Sequence, residues 1–235
     1  MKKLIAWVAI ASVFGLMSSV VFAVPFNARG EFNGWAQTAM NDDGDGTHSV
    51  TIGSLPAGTA YEFKIAEGDW ASSWPGSNSK IISNSSDEIT LHFIPGAIED
   101  GWSPAADRVG YDDPGQFGWE IMGAFNGWTD GTLTGEQQMT DMGGGLYSVD
   151  FTIASAGTHA YKFRRSGSWD FSIGGDREFS NAGSNLEITT TSANEVWTFK
   201  LDLPNGRWQV TPEPASLALL AGGFGGLMLM RRRRR

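Results

Sequence analysis

The chain has 235 residues, a formal net charge of -9 at neutral pH and no cysteine. Without cysteine, disulfides and cysteine-ligated zinc are excluded, so exported domains would depend on their apolar cores alone. The acidic balance argues against a nucleic-acid partner, because phosphate binding requires a basic surface. Abundant glycine, ten tryptophans and short segments rich in β-branched and aromatic residues predict an all-β protein.

The N-terminus has the pattern of a secretory signal peptide. Lys2 and Lys3 precede a long apolar run, and the small residues Val21 and Ala23 match the positions that signal peptidase reads. We therefore expect residues 1–23 to form a signal helix that is removed on export. The alternative is an uncleaved N-terminal anchor, since the apolar run is long.

The centre of the chain is a tandem duplication. A repeat of this length is a whole domain rather than a solenoid unit, whose period is about 20 to 50 residues. The sequence predicts a first domain at residues 24–97 and a second at 119–211. The boxes that the copies share are Phe-Asn-Gly-Trp (32–35 and 125–128), Tyr-x-Phe-basic (61–64 and 161–164) and Gly-x-Trp (68–70 and 167–169).

An acidic loop follows the first box. Asn41, Asp43 and Asp45 match the start of a calcium-loop pattern, but Ile52 stands where an EF-hand requires a bidentate glutamate. An EF-hand is therefore excluded. An Asp-Gly hairpin turn is the favoured interpretation, and we predict no metal site.

The remaining elements predict strands. Residues 89–94 read as a strand, and a Gly-, Pro- and Asp-rich linker follows at 98–118, with room for a last strand of the first domain near residues 108–111. Residues 196–203 alternate between polar and apolar side chains, which places Trp197 in the core, and a turn at 204–206 closes a terminal hairpin. We expect two immunoglobulin-like β-sandwiches in series, each of about seven strands.

The three boxes together resemble the starch- and glycogen-binding modules of isoamylases, pullulanases and glycogen-binding kinase β subunits. In that family, tryptophans of the first and last boxes stack on glucose rings, while a lysine and an asparagine hydrogen-bond the sugar hydroxyls. The resemblance implies carbohydrate binding by the second copy through Trp128, Lys162, Trp169 and Asn185.

For the first copy, the resemblance implies binding through Trp35, Trp70 and Lys64. The alignment places Glu62 opposite Lys162, so Lys64 enters as a residue on the same strand face. It also places Ser86 opposite Asn185, with Asn84 as a nearby substitute. On sequence, the second copy is thus the better match.

Two alternatives stay open for the aromatic residues. Tryptophan is highly buried on average, so the tryptophans of the boxes could be core residues. Trp74, which aligns with Ile173, could either extend a binding platform or fill a loop.

The C-terminus combines a Pro-Glu-Pro motif, a short apolar run and a basic end. The motif is Pro212, Glu213 and Pro214, and the basic end is Arg231, Arg232, Arg233, Arg234 and Arg235. Residues 212–235 resemble the PEP-CTERM sorting signal of Gram-negative bacteria, which implies a short transmembrane helix, an exosortase partner and transient residence in the inner membrane. The resemblance also implies delivery to the outer surface or extracellular matrix. The alternative is a simple C-terminal membrane anchor.

The sequence carries no recognisable catalytic motif. The three histidines are scattered, and no Gly-x-Ser-x-Gly elbow occurs. We expect an exported, non-catalytic protein without a cofactor that binds an α-glucan or exopolysaccharide. The alternative is a structural or adhesive matrix protein with no sugar site.

Overall fold

A computed structural model gives the fold of most of the chain, and it is all-β. The described residues are 25–115, 117–128, 137–174 and 184–213. The predicted signal segment and the tail from Pro214 onward, with its five arginines, lie outside them. Within the described ranges, no helix has the length and hydropathy that crossing a bilayer requires.

The first copy forms two antiparallel sheets of four strands each. Its strands are β1 Phe26–Gly30, β2 Thr38–Ala39, β3 Asn41–Asp42, β4 His48–Ile52, β5 Ala60–Glu67, β6 Ser72–Ile82, β7 Ile89–Ala97 and β8 Ala106–Tyr111. One sheet has the order β2-β1-β5-β6 and the other β3-β4-β7-β8. A 3-10 turn, Glu31–Asn33, follows β1.

The second copy repeats this plan. Its strands are β9 Trp119–Gly123, β10 Thr140–Asp141, β11 Leu146–Ile153, β12 Gly157–Arg165, β13 Ser172–Ile173, β14 Leu186–Thr190, β15 Glu195–Asp202 and β16 Arg207–Pro212. One sheet runs β10-β11-β15-β16, and in the other β9, β13 and β14 all pair with β12. The 3-10 turn Ala124–Asn126 follows β9. Each copy thus has eight described strands rather than about seven, because short edge pairings add to the count.

The two sheets of each copy pack face to face, as in a β-sandwich. In the first copy, the ring of Phe26 lies 4.9 Å from that of Phe93 in the opposite sheet. In the second, Tyr161 and Phe199 meet across the sheets at 5.3 Å. Strand alternation sends these side chains inward, and Trp197 packs against the same core, where its polar and apolar pattern predicted it.

The two copies contact each other through backbone as well as side chains. Ser103 and Trp208 exchange two backbone hydrogen bonds of 2.8 and 2.7 Å, and the Tyr111 N–H donates to the Leu203 carbonyl at 3.1 Å. A Cβ on Gly110 would lie only 2.1 Å from the Pro204 carbonyl oxygen, so glycine permits this close approach. The buried apolar residues of both copies accordingly form one cluster.

Candidate functional site

The Phe-Asn-Gly-Trp box is a turn that its asparagine holds together. In the first copy, Asn33 Oδ1 accepts a hydrogen bond from the Gly30 N–H at 3.0 Å. In the second, Asn126 Oδ1 accepts from the Gly123 N–H at 2.8 Å. The Asn33 amide also donates to the Ala28 carbonyl, the Ala36 carbonyl and Thr38 Oγ1. The asparagine of the box is therefore structural.

The tryptophan of the box has an unusual backbone conformation. Gly34 and Trp35 have consecutive positive φ angles of 63° and 64°, and Gly127 and Trp128 have φ of 69° and 54°. The left-handed region is disfavoured for a bulky residue and is occupied where the surrounding structure imposes it. Here it directs the indole away from the sandwich core. Trp70 in the third box also has a positive φ of 67°.

The structure brings the predicted tryptophans together in pairs. The rings of Trp35 and Trp70 lie 6.3 Å apart at an angle of 36°. The rings of Trp128 and Trp169 lie 6.0 Å apart at 44°. Trp70 and Trp169 are 42% and 38% exposed, whereas Trp35 and Trp128 are half-buried. None of the four is a fully enclosed core residue, so each pair presents aromatic surface to solvent.

An arginine lies against the exposed indole of each pair. Arg29 Cζ is 4.5 Å from the Trp70 ring centroid, and Arg164 Cζ is 4.4 Å from that of Trp169. Both guanidinium groups are buried beneath the rings, at 5% and 0% exposure. A cation over an indole face is attracted by the ring quadrupole, so each arginine holds its tryptophan in place.

These two arginines are themselves anchored, but in different ways. Arg29 donates to Asp69 Oδ1 at 2.9 Å and to the Trp35 carbonyl at 3.3 Å, so it connects both members of the first pair. Arg164 forms a fully buried ion pair with Glu120 at 2.5 Å. Arg29 lies on β1 and Arg164 on β12, so non-equivalent positions perform the same stacking. The sequence reasoning missed both, although Arg164 is the basic residue of its own box.

Strand register corrects the predicted alignment of the lysines. Lys64 pairs with Arg29, the residue before Gly30, and Lys162 pairs with Met122, the residue before Gly123. Because Gly30 and Gly123 each begin the same turn, Lys64 is the equivalent of Lys162. Both lysines also lie at a break in the pairing of their strand with its other neighbour. In the first copy the paired residues on either side of the break are Phe63 and Ile65. In the second copy they are Tyr161 and Phe163. Placing Glu62 opposite Lys162 was therefore wrong.

The alignment of the asparagines shifts for the same reason. Phe63 pairs with Ser79, and its equivalent Tyr161 pairs with Leu186. The residues just before these partners are Asn78 and Asn185, so Asn78 is the counterpart of Asn185. Neither Ser86 nor Asn84 fills that position. Asn84 Oδ1 instead accepts the backbone N–H groups of Ser86 and Glu88 in a turn that follows β6.

The first copy assembles its residues around an open depression. Trp35, Lys64, Trp70, Ser73 and Asn78 line it, and we name this set site one. The Lys64 ammonium donates to the Gly76 carbonyl at 2.5 Å on its rim. Site one therefore combines two indoles with an ammonium, a hydroxyl and an amide that face one volume of solvent.

The second copy has the same residues in a tighter setting. We name Trp128, Lys162, Trp169 and Asn185 site two. Asn185 is exposed, but Lys162 is only 9% exposed. A Cβ on Gly174 would lie 3.1 Å from Lys162 Cε, so the lysine packs closely over this glycine. The structure thus exposes Lys64 more than Lys162, although the sequence favoured the second copy.

Two other sequence questions are answered by packing. Trp74 is half-buried, and its ring lies 4.9 Å from that of Phe93, so it belongs to the core and does not extend site one.

The acidic loop is a hairpin in which Asn41 pairs with Ser49. Its carboxylates accept turn hydrogen bonds: Asp42 from the Gly44 N–H and Asp45 from the Thr47 N–H, both at 2.9 Å. Among the described residues, no group of three or more His, Asp or Glu side chains is arranged to hold a metal ion.

The start of the Pro-Glu-Pro motif belongs to the last sheet. Pro212 pairs with Trp197 at the end of β16, and the Glu213 N–H donates to the Val196 carbonyl at 2.9 Å. Two of the three motif residues are therefore held by the sandwich.

Comparison with known proteins gives a match to the first copy. A family model described as "Pullulanase X25 domain" matches residues 30–97. This range contains all residues of site one and makes up less than half of the chain. Among solved structures, "Pullulanase from Bacillus acidopullulyticus" is 18% identical, with a TM-score of 0.31 over 53% of this chain. The match covers only 16% of that pullulanase. No curated protein matches the chain.

Proposed function

We propose that this protein is a non-catalytic polysaccharide-binding protein that holds a glycan against its two tryptophan pairs. The observation that carries the proposal is the paired arrangement of indoles, which two separate turns direct toward solvent and two buried arginines support. The match of residues 30–97 to a pullulanase X25 domain supports it further, because the shared sequence boxes resemble the starch- and glycogen-binding modules of such enzymes.

The geometry fits the chemistry of a pyranose ring. Such a ring has an apolar C–H face, which packs on an indole, and a rim of hydroxyls, which require hydrogen-bond partners. Site one supplies these partners through Lys64 and Asn78. The indole planes are inclined by 36° and 44°, so successive sugars on one pair must turn relative to each other. We therefore propose an α-linked, curved glucan rather than a flat β-linked ribbon.

The test is native affinity electrophoresis in gels that contain glycogen or soluble starch. We expect the glycan to retard the protein, and we expect Trp35→Ala with Trp70→Ala to weaken the retardation. Adding Trp128→Ala and Trp169→Ala should abolish it. The variant Met142→Ala removes an exposed apolar side chain outside both sites and serves as the control. If neither glycogen, starch nor the organism's own exopolysaccharide retards the protein, a structural or adhesive role replaces this proposal.

We also propose that the chain is exported and sorted to the cell surface or extracellular matrix as two immunoglobulin-like domains. The support is the sequence of residues 1–23 and of the PEP-CTERM-like tail at 212–235, for which an exosortase and the inner membrane would be transient partners. Mass spectrometry of the mature protein tests this. An intact tail on protein recovered from the matrix would contradict it.

A further inference from the structure

We propose that site one, site two and the crevice between the copies form one extended surface that binds a single glycan chain. The inference rests on the proposed function and adds to it a bridging subsite and a minimum ligand length. Lys80 of the first copy and Asp170 of the second are the residues that we assign to the bridge.

The first step is that the two sites are held at a fixed separation. Arg207 of the second copy binds Asp100 of the first at 2.8 Å, and its guanidinium lies 4.5 Å from the Trp102 ring centroid. Paired backbone hydrogen bonds between Ser103 and Trp208 add to this contact. A locked interface fixes the separation of the two sites, so a single chain that is long enough to span this separation can bind both at once.

The second step is a polar path that leads away from site one. Asn78, which lines site one, donates to Glu62 Oε2 at 2.9 Å. Glu62 Oε1 lies 3.9 Å from the Lys80 ammonium. Glu62, Asn78 and Lys80 alternate with the buried Phe63 and Ser79, so they lie on the outer face of the same sheet.

The third step is that this path reaches the second aromatic pair. Lys80 lines a crevice together with Asp170 and Ser172 of the second copy. Asp170 directly follows Trp169, whose indole is the exposed member of site two. Contacts therefore connect the depression at Trp70 to the turn that carries Trp169.

The length of the path sets the ligand that can use it. On β5, Glu67 pairs with Ser72 beside the turn that carries Trp70, and Glu62 pairs with Lys80. Glu67 and Glu62 are five residues apart along this strand. At about 3.4 Å per residue this is about 17 Å, well beyond the 6.3 Å between the two rings of site one. A short oligosaccharide can occupy one pair, but only a longer chain can extend from the Trp70 indole to both the Lys80 ammonium and the Asp170 carboxylate, which its hydroxyls would contact.

Calorimetric titration of the full mature protein tests the inference with maltotriose and with a long linear maltodextrin. We expect two maltotriose molecules per protein but one long chain, bound about a hundredfold more tightly because the second contact is intramolecular. Lys80→Ala and Asp170→Asn should each lower the affinity for the long chain by about threefold to tenfold, which corresponds to the loss of one hydrogen bond. Neither substitution should change the affinity for maltotriose. Lys200→Ala on β15 is the matched control.

The outcomes separate this inference from the proposed function. Two long chains per protein, or variants of Lys80 and Asp170 that bind the long chain as well as the unaltered protein, would overturn the bridge and leave the sugar sites intact. Failure of both ligands to bind would overturn the proposed function as well. Thermal unfolding of each variant shows that a lost affinity is not a lost fold.

Discussion

At the scale of single residues, the box that defines each copy specifies a backbone conformation as well as an aromatic side chain. Asparagine supplies the acceptor and donors that close the turn, and glycine permits the first left-handed residue. The tryptophan then takes the second left-handed position, at a conformational cost that the turn must offset. The sequence predicted solvent-facing tryptophans from family resemblance, but the left-handed conformation of the box tryptophan is visible only in the structure.

The asparagine of the box can be tested directly. Asn33→Ala removes one acceptor and three donated hydrogen bonds, so we expect the free energy of unfolding to fall by about 1 to 3 kcal/mol. Affinity for glycogen should fall more than stability alone explains, because Trp35 loses its imposed orientation. Urea unfolding and affinity electrophoresis measure the two effects. Asn33→Asp, which keeps the Oδ1 acceptor, should lose less of both, and equal losses would contradict this account.

The arginine beneath each indole is the second prediction at this scale. Arg29→Met keeps much of the side-chain volume but removes the charge that lies 4.5 Å from the Trp70 ring. We expect glucan affinity at site one to fall by about threefold to thirtyfold, the range of a cation–π contact. Acrylamide quenching of tryptophan fluorescence should rise, since Trp70 becomes mobile. Lys200→Met is the control, and unchanged affinity in Arg29→Met would show that the stacking does not position the ring.

At the scale of strands, the structure explains why the sequence alignment slipped. Moving a strand by two residues keeps every side chain on its original face, so Glu62 and Lys64 fit the alternation equally well opposite Lys162. Only hydrogen-bonded register distinguishes them. In addition, Leu186 lies 17 residues after Trp169, whereas Ser79, its counterpart in register, lies nine residues after Trp70. An ungapped comparison therefore carried Asn185 onto Ser86 instead of Asn78.

The two alignments predict opposite results for single substitutions. If Lys64 is the sugar-binding ammonium of site one, Lys64→Ala should weaken glycogen binding by about twofold to tenfold, the contribution of one hydrogen bond. Glu62→Lys should give no gain, because the position of the lysine is already filled. Affinity electrophoresis of the two variants, with the second tryptophan pair replaced by alanine, isolates site one. Tighter binding by Glu62→Lys would restore the original alignment.

At the scale of the whole molecule, the segment predicted as a linker is structured and joins the copies. Its composition, rich in Gly, Pro and Asp, indicated an irregular connection and left room for the strand that the structure shows as β8. The sequence did not indicate that Asp100 would contact both Arg108 of the same segment and Arg207 of the second copy. Contacts between residues that lie more than a hundred positions apart leave no local pattern, so this interface could not be predicted.

Asp100 makes this interface sensitive to acid. Hydrogen bonds from Arg108 at 2.7 Å, with further contributions from the Trp102 N–H and Arg207, hold the pKa of the Asp100 carboxyl well below its ordinary value. A carboxyl whose pKa is lower in the folded state than in the unfolded state binds fewer protons when folded. Its contribution to stability is therefore complete above the unfolded pKa of about 3.9 and is lost as the pH falls toward the folded value.

We therefore expect the melting temperature to fall as the pH is lowered from about 5 to 2, with Asp100 as one of the groups responsible. Asp100→Asn should melt at a lower temperature than the unaltered protein at pH 7 and should lose less on acidification, because its amide has no proton to gain. Glu99→Gln removes the neighbouring exposed charge and is the control for net charge. If Asp100→Asn and Glu99→Gln show the same dependence on pH, the interface does not depend on the Asp100 carboxylate.

A long maltodextrin bound across both copies should raise the melting temperature of the unaltered protein at low pH. A ligand that binds only the protein with its two copies joined shifts the folding equilibrium toward that joined form.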